Sequence, residues 1–290
     1  MDTRISSFLD YQAEGGYSPN TSAGYKNDLD QFTSFLRQES TSSLPWDLVR
    51  PEMITAFTRD LRRRGYSKAT LARKVSAISS FFNFLKESGL ISYNPLETYK
   101  RPDAPKPTPK TLSKSEVERL LQQPYKSSSS WALRDRAILE VLHATGMRVT
   151  ELVSLNLDCF SFEDGLYFIY YEGKNKVRRL PINERSYQAL LDYLEKTRSK
   201  FPRGSKEPAL FINLKRGTRL TRQGLWLIIK TYAGAAGIQS PVAPSTLRHS
   251  LAIHMLRSGA TLLTVQELLG HKNIYTTKPY ADIIGGPAAR

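Results

Sequence analysis

The stretch Ser245–Tyr280, STLRHSLAIHMLRSGATLLTVQELLGHKNIYTTKPY, decides both the fold and the chemistry. Arg248 stands beside His249, an apolar-periodic helix follows them, and Gly259 stops it. Leu269-Gly270-His271 comes next, and Tyr280 lies nine positions beyond His271. A guanidinium is a fixed fork of donors for phosphate oxygens, and tyrosine is an accepted covalent nucleophile. A guanidinium and an imidazole ahead of a phenol therefore suit attack on a phosphodiester.

Composition narrows the partner. With 290 residues, 40% of them hydrophobic, the chain has material for two globular domains with their own cores. A net charge of +15 calls for a polyanion, nucleic acid first and acidic membrane second. The charge is uneven: 26 Lys and Arg against 15 Asp and Glu from residue 111 onward, and 16 against 12 before it. One cysteine, Cys159, leaves no internal disulfide framework and suits a reducing cytoplasm. No run approaches the roughly 20 apolar residues that a membrane span requires. Four histidines and one cysteine make no thiolate zinc site. Walker-type glycine loops and acidic metal clusters are also missing, so no metal or other cofactor is expected. These features predict a cytoplasmic nucleic-acid-binding protein that is not membrane-bound.

Residues 1–98 read as four helices. The first ends near Gly15-Gly16, the second opens at Ser18-Pro19, the third starts at Pro51, and the fourth follows an N-cap at Ser67 and ends before Gly89. The third and fourth carry RDLRRRGYSKATLARK, Arg59 to Lys74, with seven cations and one Asp. Such runs are commonly solvated faces, but clustering at two adjacent helix ends favours DNA contact by Arg62, Arg63, Arg64, Lys68, Arg73 and Lys74. Residues 99–112, YKRPDAPKPTPKTL, read as a basic, proline-stiffened linker. Residues 113–290 then form a second, mainly helical domain. A capping box at Ser113 and Glu116 opens it. A helix over Arg134–Thr145 breaks at Gly146, and Val149 restarts one. Leu166–Tyr171 and Val177–Ile182 form a hairpin. Helices follow near 184–199, 221–236, 246–258 and 261–269. Pro279 restrains the chain ahead of Tyr280, which predicts a separate, mobile segment for that tyrosine.

Three patterns, at HATGMRVTEL (143–152), EGKNKVRRLPI (172–182) and the opening stretch, resemble the tyrosine recombinases, or phage integrase family. The resemblance implies a mainly α protein, with an N-terminal SAM-like four-helix domain that binds the core DNA site. A mostly helical catalytic domain with a small antiparallel sheet follows. It implies that Arg148 and Arg248 hold the scissile phosphate, with Glu151 supporting Arg148, and that His271 donates to a phosphate oxygen. It implies a catalytic lysine in the hairpin. This chain is one residue short between Lys174 and Pro181, so Lys174 and Lys176 both remain candidates, while Arg178 and Arg179 read as phosphate clamps. Tyr280 is the nucleophile by spacing, with Tyr275 its nearest rival. Where the family has the histidine that takes the phenolic proton, this chain has Ser245. Three readings stay open: water or a neighbouring group serves, the cationic pocket alone lowers the phenol pKa, or this copy is slow. His249 reads as a structural hydrogen-bonder. The implied partners are double-stranded DNA with inverted core sites and a homotetramer or heterotetramer assembled on it. The implied reaction runs through a 3′-phosphotyrosine and a Holliday junction. A type IB topoisomerase-like enzyme and a DNA-binding protein with weak or no catalysis are the competing classes.

Overall fold

Proline and glycine mark out the elements of the chain, and the computed structural model describes residues 3–39, 45–99, 108–173, 177–201 and 208–285. The chain divides into two compact units, residues 1–107 and 108–290.

The first unit contains α1 (Thr3–Glu14), α2 (Pro19–Glu39), α3 (Pro51–Arg63) and α4 (Lys68–Glu87). Pro19 and Pro51 occupy first-turn positions, where the missing N–H costs nothing. Ser67 caps α4 by accepting the Thr70 backbone N–H at 3.2 Å. Phe8, Leu29, Phe32, Phe57, Phe81 and Phe82 fill the interior. Trp46, from the α2–α3 connection, packs edge-on against Phe81 with ring centroids 4.8 Å apart. Burying each such side chain contributes about 1.5–3 kcal/mol.

The basic run divides between water and this interior. Arg62, Arg63, Arg64 and Lys68 are exposed, with Arg64 paired to Asp60 at 2.8 Å. Lys74 departs from the expected DNA contact, because it is buried and its ammonium donates to Asp28 at 2.8 Å. Arg73 grips the same carboxylate through Nη1 and Nη2, although its side chain remains half-exposed. A buried carboxylate requires such partners, so these two cations close the core.

The second unit opens with α5 (Lys114–Gln122), whose capping box at Ser113 and Glu116 is formed. Next come α6 (Ser130–Thr145) and α7 (Val149–Ser154). A sheet of β1 (Phe160–Glu163), β2 (Leu166–Glu172) and β3 (Val177–Ile182) follows, antiparallel in the order β1-β2-β3. Then come α8 (Glu184–Lys196), a short pair β4 (Ile212–Asn213) and β5 (Thr218–Arg219), and α9 (Arg222–Ala235). The chain closes with α10 (Pro244–Arg257), α11 (Leu262–Leu269) and α12 (Lys278–Ile283).

Several features differ from the sequence reading, among them the short pair β4–β5 and the helix α12, neither of which was expected. α6 starts at Ser130 rather than Arg134, because the Ser129 hydroxyl caps the Ala132 N–H. It is also buried nearly all round, Arg134, Asp135 and Glu140 included, and packs against α8, α10 and β3. β1 went unread, although Asp164-Gly165, both at positive φ, is the hairpin turn that joins it to β2. The C-terminal end of the expected linker belongs to the second core: Leu112 is buried, its N–H donates to Ser250 Oγ at 2.8 Å, and its carbonyl lies 3.0 Å from His254 Nε2. No helix among the described residues is long and apolar enough to cross a membrane.

Candidate active site

Gly146 anchors the site. It ends α6 in the left-handed conformation, φ 59°, and turns its carbonyl toward α10, where it accepts from Arg248 Nη1. Arg248 Nη2 donates 2.7 Å to the carbonyl of Leu269. The guanidinium is thereby fixed between the ends of α6 and α11. Burial and the neighbouring Arg148 pull its pKa down to about 10, which leaves it charged at neutral pH.

Arg148 is the residue before α7, and Glu151 secures it twice. The carboxylate accepts the Arg148 backbone N–H at 2.7 Å and the Nη1 donor at 2.9 Å. The Arg148 side chain stays 45% exposed, so its fork is held at one edge and open at the other. Arg178 does not stand at the surface as an expected phosphate clamp. It lies beneath this arrangement, bonded to Glu151 at 3.2 Å and to the Leu268 carbonyl. Gly270 makes room for it. A Cβ at this glycine would sit 2.7 Å from Arg178 Cζ, and its φ of +63° is strained for any other residue. Arg179 faces outward, paired with Glu163 at 2.9 Å and lying 3.6 Å above the Phe168 ring. Lys174 and Lys176 lie outside the described residues.

His271 follows Gly270 directly and is largely buried. Its Nδ1 lies 2.8 Å from the Thr277 hydroxyl. If that hydroxyl donates to Nδ1, the ring proton sits on Nε2, the tautomer that donates to a phosphate oxygen. Burial, reinforced by Arg248, Arg148 and Arg178, lowers the His271 pKa to about 4, so the ring is neutral at ordinary pH. A cleft of about 560 Å³ opens beside it, lined by Tyr171, Arg178, Gly270 and His271 among others.

Tyr280 sits in the first turn of α12, after Pro279, and is 3% exposed. Burial raises its pKa, while Arg248 and then Arg148 work in the opposite direction. Its Oη lies 2.7 Å from His249 Nδ1, and the His271 ring stacks at 6.4 Å between centroids. Tyr275, the sequence rival, is 70% exposed. Ser245, expected beside the phenol, instead lies exposed in the first turn of α10. The histidine at the phenol is His249, assigned from the sequence only a structural role. The missed signal was its spacing: positions four apart share a helix face. Among the described residues no three His, Cys, Asp or Glu side chains converge as a metal site.

Tyr280, Arg248 and Arg148 are therefore electrostatically coupled, and His271 joins the same cationic environment. That arrangement can bind a phosphodiester, oppose the charge of a pentacoordinate phosphorus, and present a phenol to it. The profile of the phage integrase family matches residues 110–284, and that of the phage integrase N-terminal SAM-like domain matches residues 5–89. The tyrosine recombinase XerC of Roseiflexus sp. (strain RS-1) is 43% identical over 287 residues, covering 98% of this chain and 90% of that protein. The tyrosine recombinase XerD of Listeria innocua is 39% identical over 286 residues, covering 98% and 95%. The fold also matches the XerH site-specific recombinase in a post-cleavage complex with a palindromic difH substrate, with a TM-score of 0.77, 22% identity, and coverage of 97% and 91%. Family profile, full-length relatives and site geometry agree, and the chain belongs to the phage integrase family of tyrosine recombinases.

Proposed function

We propose that this chain is a site-specific DNA recombinase that cuts and rejoins duplex DNA through a covalent tyrosine intermediate. The carrying observation is the meeting of Arg148, Arg248, His271 and Tyr280 from four separate segments of the second unit. In this reading the two guanidiniums hold the scissile phosphate, and the neutral His271 donates through Nε2. Tyr280 Oη attacks phosphorus while the bond to the 5′-oxygen breaks, leaving a 3′-phosphotyrosine. Lys174 or Lys176, both lying in the sequence between β2 and β3, protonates the leaving oxygen as general acid. The phosphotyrosine conserves the bond energy, so rejoining requires neither nucleotide nor metal.

The remaining parts follow from the same reading. Residues 1–98 bind the core site through the exposed Arg62, Arg63, Arg64 and Lys68, residues 99–112 link the domains, and residues 113–290 carry the chemistry. The substrate is a duplex with inverted core sites. The working form is a tetramer on two such duplexes that passes through a Holliday junction, acting in the cytoplasm. Relatives of this fold have been observed on DNA as a dimer on a core site and as a tetramer on a Holliday junction, both for lambda integrase.

The test is a core-site duplex, obtained by selection from a randomised pool and nicked near the cleavage point to trap the intermediate. The wild-type chain should form a covalent adduct, and Tyr280→Phe should form none. An intact binding footprint without any adduct would refute the enzyme reading in favour of a DNA-binding protein, the alternative that the exposed Ser245 favours.

A further inference from the structure

Tyr280 requires a proton acceptor, since a phenol titrates near 10 in water and burial moves this one further up. The family resemblance puts that acceptor three residues before Arg248, where this chain has Ser245. An exposed serine hydroxyl is no base. α10 carries a second candidate on the same face. Residue 249 lies four positions beyond 245, and an i, i+4 pair stacks along a helix about 5–6 Å apart. His249 points to α12, with its Nδ1 2.7 Å from Tyr280 Oη and its ring centroid 5.6 Å from the phenol's.

We propose that His249, through Nδ1, is the general base that takes the phenolic proton of Tyr280, supplying one helical turn along α10 the function that Ser245 lacks. This rests on the recombinase reading above. The charged and titratable groups around His249 are Arg248 on its own helix, Tyr280 on α12 and His271 after α11. Burial, then Arg248, lowers the His249 pKa, so the imidazole is neutral and free to accept at ordinary pH. Acceptance at Nδ1 requires the ring proton on Nε2. In cleavage the Tyr280 Oη–phosphorus bond forms as the bond from phosphorus to the 5′-oxygen breaks. The phenolic proton passes to Nδ1 and makes an imidazolium, while the departing oxygen takes its proton from the general acid named above. In rejoining, the 5′-hydroxyl attacks phosphorus and passes its proton to that acid in its deprotonated form. The phenolate leaves and recovers its proton from the imidazolium.

Single-turnover cleavage of the nicked core-site duplex tests this with wild type, His249→Gln and His249→Ala. Thermal melting and a DNA gel shift run on the same samples. A general base contributes on the order of 100-fold or more. The glutamine variant should therefore melt and bind DNA like wild type but cleave about 100-fold more slowly. Added imidazole should restore the alanine variant by roughly tenfold or more while leaving Tyr280→Phe inert. Wild-type cleavage rates in both variants would overturn the proposal and leave the recombinase reading standing. A slow alanine variant that imidazole does not rescue would also overturn it, assigning His249 a merely structural role. Absence of any adduct in the wild type would overturn the recombinase reading and this proposal together.

Discussion

Lys74 offers the sharpest test of which cations serve DNA and which serve the fold. It sits in the basic run of α4, yet its side chain is 5% exposed and its ammonium donates 2.8 Å to the fully buried Asp28. Lys74→Met keeps the apolar stem and removes one charge-assisted hydrogen bond, costing about 1.5–3 kcal/mol. Asp28 is not left bare, because Arg73 Nη2 still donates to it at 2.8 Å. For a unit of about 100 residues, ~2 kcal/mol lowers Tm by roughly 8–16 °C. Asp28→Ala is harsher. It strands a buried ammonium at a cost of about 3–5 kcal/mol, enough to unfold much of the first unit. The DNA readout is separate. The logarithm of affinity falls linearly with the logarithm of salt concentration, and removing one phosphate-neutralising cation flattens that slope by about 0.9. Lys74→Met, measured well below its melting point, should leave the slope unchanged. Arg62→Ala and Lys68→Ala, at exposed positions, should each flatten it by about 0.9 without changing Tm. A Lys74→Met protein that melts like wild type and shows a flattened slope would refute the assignment.

Two further outcomes follow from the second unit. Gly270→Ala adds about 1–2 kcal/mol of left-handed strain and displaces Arg178 from Glu151 and Leu268, about 1.5–3 kcal/mol more. The protein should lose about 3 kcal/mol in chemical denaturation, and a loss below about 1 kcal/mol would mean that Arg178 moves aside freely. His271 should titrate near 4 in histidine NMR spectra. The unfolded value is about 6.5, so the unfolded chain binds the proton first. The stability contribution is complete above about pH 6.5 and is lost as pH falls through about 4. A midpoint near 6.5 in the folded protein would contradict the buried, arginine-surrounded environment.

Much of this architecture is legible along the chain because its signals are local. A helix cap involves residues three apart, as at Ser67 and Thr70 or Ser113 and Glu116. A helix stop needs a residue that tolerates positive φ, and Gly146 and Gly270 end α6 and α11 in that way. The Asp164-Gly165 turn is equally local, but the strand ahead of it, β1, has only four residues and shows no clear alternation of burial. β4 and β5, with two residues each, carry too little periodicity to be read from sequence.

The sequence by itself determined the residue types, the nine-residue step from His271 to Tyr280, and the helix on which Arg248 rides, whereas the helix α12 that carries the buried Tyr280 stands where a separate, mobile segment was expected. Only the tertiary structure decided what each charge faces. Lys74 meets Asp28 across 46 residues, and Arg178 reaches the Leu268 carbonyl across 90. Nothing in the neighbouring sequence specifies such partners, so two cations that read as DNA contacts became internal ties. The same holds at the nucleophile, where a contact across 31 residues makes His249, not position 245, the neighbour of the phenol. Backbone conformation answers to neighbours in sequence, whereas the fate of a buried polar group is set by whichever partner the packed fold brings within hydrogen-bonding distance.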